Sequence, residues 1–123
     1  MKPELEKILS TEFHFYKGHF GMGLPFECGD GWFDLLYQLS KDIQALINSG
    51  VEIPEFAVSQ VKEKFGTLRY YYYGGSDEVS DLVQKAEEAS ASICEVCGKP
   101  GACRKEGGWY STLCDEHYKI SPR

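Results

Sequence analysis

The residues whose types and spacing can do chemistry are concentrated near the C-terminus. Cys94-Glu95-Val96-Cys97-Gly98 is followed, after sixteen residues beyond Cys97, by Cys114-Asp115-Glu116-His117. Thiolates and imidazoles are the preferred ligands of a tetrahedral zinc ion, and one Cys-x2-Cys pair with one Cys-x2-His pair supplies four of them. Cys94, Cys97, Cys114 and His117 are therefore the expected metal ligands. Four protein ligands close the coordination sphere, so the zinc would be structural, since a catalytic zinc keeps one position for water. Two alternatives stand beside this reading. Cys103 can take the fourth position in place of His117, and the cysteines can simply be small buried core residues. The paired spacing favours metal.

The neighbouring residues provide elements that can hold such a site. Gly98 can adopt the positive φ that ends a tight Cys-x2-Cys knuckle. Lys99-Pro100-Gly101 turns the chain. Ala102 to Lys105 and Trp109 to Leu113 form two short strands around Glu106-Gly107-Gly108. Cys114 and His117 are three residues apart and fall on one face of a helical turn. That helix must be short, because Pro122 follows closely. Knuckle, hairpin and helix start, in this order, resemble a treble-clef zinc finger.

Upstream, the pattern is that of a mixed α+β body. Pro3 to Ser10 reads as a short helix, with proline in its first turn and Leu5, Ile8 and Leu9 on one face. Glu12 to Tyr16 reads as extended. Gly18 to Gly31 is a glycine-rich loop in which Asp30 is placed to cap the following helix. Gly31 to Asn48 is the strongest helix, with Trp32, Leu35, Leu36, Leu39, Ile43, Leu46 and Ile47 in one stripe and Gly50 just past its end. Phe56 to Tyr73 reads as two strands joined near Lys64-Phe65-Gly66. Ser76 caps a last helix whose stripe is Val79, Leu82, Val83, Ala86, Ala89 and Ile93. This helix runs directly into Cys94, so residues 1–93 and the zinc module, 94–123, are expected to form one domain. The expected fold is a small antiparallel sheet packed by two main helices.

Two further constellations merit weighing. Cys28 with Asp30 and His14 or His19 has the residue types of a thiol nucleophile, but such a cysteine needs a base beside it in space. A buried cysteine next to a packed Trp32 is the simpler reading, and no catalytic residue is assigned. In the second strand, alternation puts Leu68, Tyr70 and Tyr72 on one face and Arg69, Tyr71 and Tyr73 on the other. With Lys62 and Lys64 on the partner strand, that second face can hold a phosphate and stack a base. The plainer reading is a half-exposed sheet surface with Arg69 stacked on tyrosines or paired with Glu63.

Composition narrows the function classes. Hydrophobic residues make up 42% of the 123 residues, enough for a core. No apolar run resembles a signal peptide or a membrane span. Five cysteines, three of them in metal-ligand spacing with His117, point to a reducing cytoplasm and not to a disulfide framework. The net charge is −6, and the acids cluster. Residues 1–53 carry 4 Lys or Arg against 8 Asp or Glu, and residues 74–93 carry 1 against 5. Such a balance opposes duplex nucleic acid as a partner and suits a basic one.

Glu27-Cys28-Gly29-Asp30-Gly31-Trp32, Val61-Lys62-Glu63-Lys64-Phe65-Gly66-Thr67-Leu68-Arg69, Cys94-Glu95-Val96-Cys97-Gly98 and Thr112-Leu113-Cys114-Asp115-Glu116-His117 together resemble a group of small bacteriophage and prophage proteins. The resemblance runs from Pro3 to His117. It implies a phage origin, a home in the cytoplasm of an infected bacterium, and no particular reaction. The expected function is that of a non-enzymatic accessory protein binding a host component, such as a defence protein. The alternatives are a binder of a small anionic ligand, a nucleotide signal among them, through Lys62, Lys64, Arg69, Tyr71 and Tyr73, and a nucleic-acid-binding zinc module.

Overall fold

The apolar stripes of the two long helices and the alternation of the central hairpin converge on one core. The computed structural model describes residues 1–18, 23–50 and 52–120. Its elements are α1 (Pro3–Glu12), β1 (Phe26–Glu27), α2 (Phe33–Asn48), β2 (Ala57–Lys64), β3 (Thr67–Tyr73), α3 (Asp77–Ser90), β4 (Ala102–Glu106), β5 (Trp109–Leu113) and α4 (Asp115–Ile120). β1, β2 and β3 form one sheet in that order, and β4 pairs with β5 in a separate hairpin. The class is α+β, as the patterning indicates.

The main sheet departs from expectation in one respect. It is mixed, because β1 runs parallel to β2, with Phe26 opposite Val61 and Glu27 opposite Lys62. Two residues inside a glycine-rich loop carry no strand period, so sequence patterning could not reveal β1. β2 and β3 are antiparallel and joined by the two-residue turn Phe65-Gly66. Both turn residues have positive φ, 54° at Phe65 and 86° at Gly66. That is the geometry of a tight hairpin whose twist matches its strands.

Two further local expectations are corrected. Glu12 to Tyr16 is not extended. α1 continues to Glu12, and His14–Tyr16 is a 3-10 turn that buries Phe15 and Tyr16. Burying three aromatic rings of this segment, Phe13 included, outweighs their strand preference. Asp30 does not cap α2. It opens a 3-10 turn, Asp30–Trp32, and its carboxylate accepts from the Lys2 backbone N–H at 2.8 Å. The cap expected of Ser76 is present, with its hydroxyl accepting from Val79 N. The third helix stops at Ser90, so Ile93 lies beyond it, where it bridges to Pro100.

The core holds one polar chain. Tyr16 Oη lies 2.6 Å from Ser40 Oγ and 2.7 Å from Tyr70 Oη, and Ser40 Oγ donates to Leu36 O at 2.7 Å. Since the serine proton is committed to a carbonyl, Tyr70 donates to Tyr16 and Tyr16 to Ser40. The chain ties the sheet to α2. Burial pushes the Tyr16 phenol up to about 12, against the opposing effect of its hydrogen bonds. On the far side, α3 covers the outer edge of β3. Ser90 Oγ accepts from Leu68 N and Glu87 Oε2 from Tyr70 N, both at 2.9 Å. Capping these amides closes an edge that would otherwise pair with another chain. No helix among the described residues is long and apolar enough to cross a membrane.

Candidate metal centre

Gly98, with φ of 81°, ends the knuckle that presents Cys94 and Cys97, and its N–H donates to Cys94 O at 2.9 Å. β4 and β5 then return the chain to Cys114, and the first turn of α4 brings round His117. The ligand atoms of Cys94, Cys97, Cys114 and His117 all lie within 4.8 Å of one another. Cys97 Sγ is 3.8 Å from Cys114 Sγ, and His117 Nδ1 is 3.6 Å from Cys94 Sγ and 3.2 Å from Cys114 Sγ. A tetrahedron with metal–sulfur bonds of about 2.3 Å has sulfur–sulfur edges of about 3.8 Å, and sulfur–nitrogen edges somewhat shorter. The four donors therefore fit a metal ion, and Nδ1 is the imidazole nitrogen presented to it.

Electrostatics favour a thiolate at Cys94, whereas the Cys97 thiol is raised, the hydrogen bond from the Lys99 backbone being outweighed by desolvation and the neighbouring Cys94 and Cys114 sulfurs. Burial pushes the Cys94 thiol up, but backbone N–H groups of Cys114, Cys97 and Val96 donate to it, and the balance lowers it to about 6. Cys103 does not compete as a ligand. It is exposed on β4, and its sulfur packs beside Gly66 of the β2–β3 turn.

The body grips the module at two places. The first is Glu27-Cys28-Gly29-Asp30-Gly31-Trp32. Gly31 N donates to Glu95 O at 2.7 Å, Gly29 N to Glu95 Oε2 at 2.8 Å, and Trp32 Nε1 to Ile93 O at 2.9 Å. A Cβ at Gly31 would lie 2.2 Å from Cys94 O and 2.6 Å from Gly98 N, so only glycine admits the knuckle. The second place is the β2–β3 turn. Thr112 Oγ1 donates to Gly66 O at 2.5 Å, and Phe65 meets Tyr110 edge to face with centroids 6.0 Å apart. Glu63 holds this turn by accepting from Gly66 N at 2.7 Å, and does not pair with Arg69.

Cys28 thus has a structural place. It is 7% exposed, and its carbonyl accepts from the Met1 amino group at 2.7 Å. Burial, followed by the nearby Glu95 carboxylate, pushes its thiol up to about 12. A thiol so held is protonated at neutral pH and is a poor nucleophile. His14 lies in the 3-10 turn after α1, and His19 lies outside the described residues, as does Pro122.

The sheet face holding Lys62, Lys64, Arg69, Tyr71 and Tyr73 is separate from the metal centre. Lys62 stands directly opposite Arg69, and Lys64 opposite Thr67. Leu68 and Tyr70 are buried on the other face, as alternation requires, while Tyr71 and Tyr73 are exposed.

Two residues that support the centre escape sequence reading. Glu95 bonds both glycines of the grip, as above. Arg104 donates to Leu113 O and, at 2.8 Å, to Asp115 Oδ1, while its guanidinium sits 4.5 Å from the Tyr118 ring centroid. It fastens β4 to the start of α4 and so fixes the turn that carries Cys114 and His117. The hydrogen bond from Arg104 holds the Asp115 carboxyl below its usual range. Nothing in local composition separates Arg104 from any exposed strand arginine.

Comparison of the chain with protein-family models, with curated proteins and with solved structures gives no match.

Proposed function

We propose that this chain is a non-enzymatic accessory protein of bacteriophage origin, held together by structural zinc, that binds a basic segment of a host protein in the bacterial cytoplasm. One observation carries the reading. The acidic helix α3, with five Asp or Glu against one Lys, lies beside α2, whose acids are Asp34 and Asp42, and between them runs an open groove. Its main part, of about 410 Å³, is lined by Asp42, Ala45, Leu46, Glu78, Asp81, Leu82 and Lys85. A second hollow of about 190 Å³ shares Asp42, Leu82 and Lys85 and adds Leu35 and Leu39. An apolar floor with acidic margins suits an amphipathic helix that carries lysine or arginine beside its apolar stripe. Zinc is supported by the donor set, three sulfurs and one imidazole nitrogen within 4.8 Å of one another. The order of knuckle, hairpin and short helix supports a treble-clef arrangement. Phage origin, and a defence protein as the host target, rest on the four sequence stretches that resemble phage proteins.

Charge reversal in the groove tests this function. The zinc-loaded protein and its Asp42→Lys/Asp81→Lys variant are each used as bait in bacterial lysate. A stoichiometric host protein retained by the parent and lost by the variant is the expected result. An identical catch from both baits, or none from the parent, removes the proposal.

A further inference from the structure

The opposite side of the molecule carries a second chemistry. Lys62 and Arg69 are direct cross-strand partners. Like charges so placed repel, and a sheet normally avoids them. Here neither side chain has an ion-pair partner among the described residues, whose ion pairs are Lys2–Asp30 and Arg104–Asp115. Glu27 lies beside Lys62 on β1 without pairing to it. The Arg69 Nε–H is enclosed and has no acceptor. Two unneutralised cations in register, one with an orphaned donor, form a place where an anion would relieve repulsion.

Aromatic side chains flank that place. Every exposed Phe, Tyr or Trp among the described residues is on one of the two hairpins: Phe65, Tyr71, Tyr73 and Trp109. Tyr71 and Tyr73 continue the face of Arg69 along β3, at 44% and 71% exposure. At the other end Phe65 is 62% exposed, and it is the non-glycine residue held at positive φ. A bulky residue is disfavoured there, where asparagine or glycine is the usual choice. Lys64 sits 5.6 Å from the Phe65 ring centroid, and Lys105 5.5 Å from that of its neighbour Tyr110. From Thr67 to Tyr73 the strand extends about 20 Å, at about 3.3 Å per residue, with Phe65 in the turn beyond its start. That length spans several nucleotides and exceeds a single one.

We propose that this face binds single-stranded nucleic acid, with Lys62 and Arg69 on phosphates and Tyr71, Tyr73 and Phe65 under bases. Stacking on aromatic rings is tolerant of sequence, so any unpaired strand serves. Lys62, Lys64 and Arg69 give this face a local positive charge on a chain of net charge −6, with Glu27 on β1 and Glu87 at the edge of β3 as its acidic neighbours. Duplex is excluded because its bases are not free to stack.

The test is fluorescence anisotropy of a fluorescein-labelled dodecathymidylate with the full zinc-loaded chain. Saturable binding is expected, weakening roughly 7-fold from about 50 to about 200 mM salt as the two phosphates on Lys62 and Arg69 are released. Tyr73→Ser and Lys62→Gln alter exposed or half-exposed side chains. Each is expected to leave the melting temperature unchanged and weaken binding at least fivefold. Phe65→Asn relieves the turn but gives up the Tyr110 contact, so it is expected to leave the melting temperature nearly unchanged while also weakening binding. Unlabelled duplex of equal length and thymidine monophosphate are expected to compete at least 50-fold less well than the unlabelled strand. No binding at low salt, affinity unchanged in the Lys62→Gln/Tyr73→Ser double variant, or equal competition by the mononucleotide or the duplex would overturn the proposal.

Discussion

The body and the metal module are ordered by different means. Among the described residues, the body's core is built from 19 buried residues, from Leu9 in α1 to Ala86 in α3, with interlocking aromatic rings and the Tyr70–Tyr16–Ser40 chain at its centre. The module's own cluster has three buried residues, Cys94, Leu113 and Cys114, with Tyr118 packed against them. Two of those three are expected ligands. A segment with so little apolar surface to bury cannot offset the entropy of ordering its chain. Its order must come from the metal and from the grip of the body. The comparison gives meaning to the two most distinctive stretches of the sequence. The loop around Gly29-Gly31 and the turn at Phe65-Gly66 are where the self-sufficient part holds the dependent one.

Removing the metal breaks the comparison hardest. In isolated zinc-finger peptides the ion supplies on the order of 10 kcal/mol of apparent folding free energy. Chelation is expected to abolish hydrogen-exchange protection at Tyr110–Leu113 while amides near Leu39 and Ile43 stay protected. Retained protection in β5 after chelation would show that the module's order is independent of metal.

Gly31→Ala acts on the first grip without touching a ligand. The new methyl meets the backbone of Cys94 and Gly98, which cannot give way as a flexible side chain would. A cost of roughly 3 kcal/mol is expected, seen as a melting temperature about 10 °C lower and as weaker metal retention against a competing chelator. A variant as stable as the parent would mean that the knuckle does not seat on this loop.

Thr112→Val is the gentlest of the three. It keeps the side chain's shape and removes the proton given to Gly66 O. Leaving that buried carbonyl unsatisfied costs about 1 to 2 kcal/mol. The loss is expected to appear in the exchange of β5 amides before it appears in the core of the body. Equal loosening of both regions would show that body and module unfold as one unit.

Much of this architecture was legible from residues in order. The stripe from Trp32 to Ile47, the Ser76 cap, the two hairpins and the cluster of Cys94, Cys97, Cys114 and His117 follow from periods and spacings that neighbouring residues alone create. What failed to show has a common cause. β1 is two residues long and takes its identity from Val61 and Lys62, far along the chain. The segment at Phe13 to Tyr16 has strand-forming residues, yet the packing of its rings in the core decides its turn. Asp30 has the chemistry of a cap, and the Lys2 amide claims it.

The sequence by itself determined the candidate metal cluster and the main elements, because ligand spacing and side-chain periodicity are local properties of the chain. Tertiary structure decided which cysteine stays out of the metal cluster, what Cys28 is for, and why Gly29 and Gly31 must be glycines. It also set the acidic α3 beside α2 and left Lys62 facing Arg69. These depend on which distant surfaces meet, and that follows from burying one shared core, which no local pattern records.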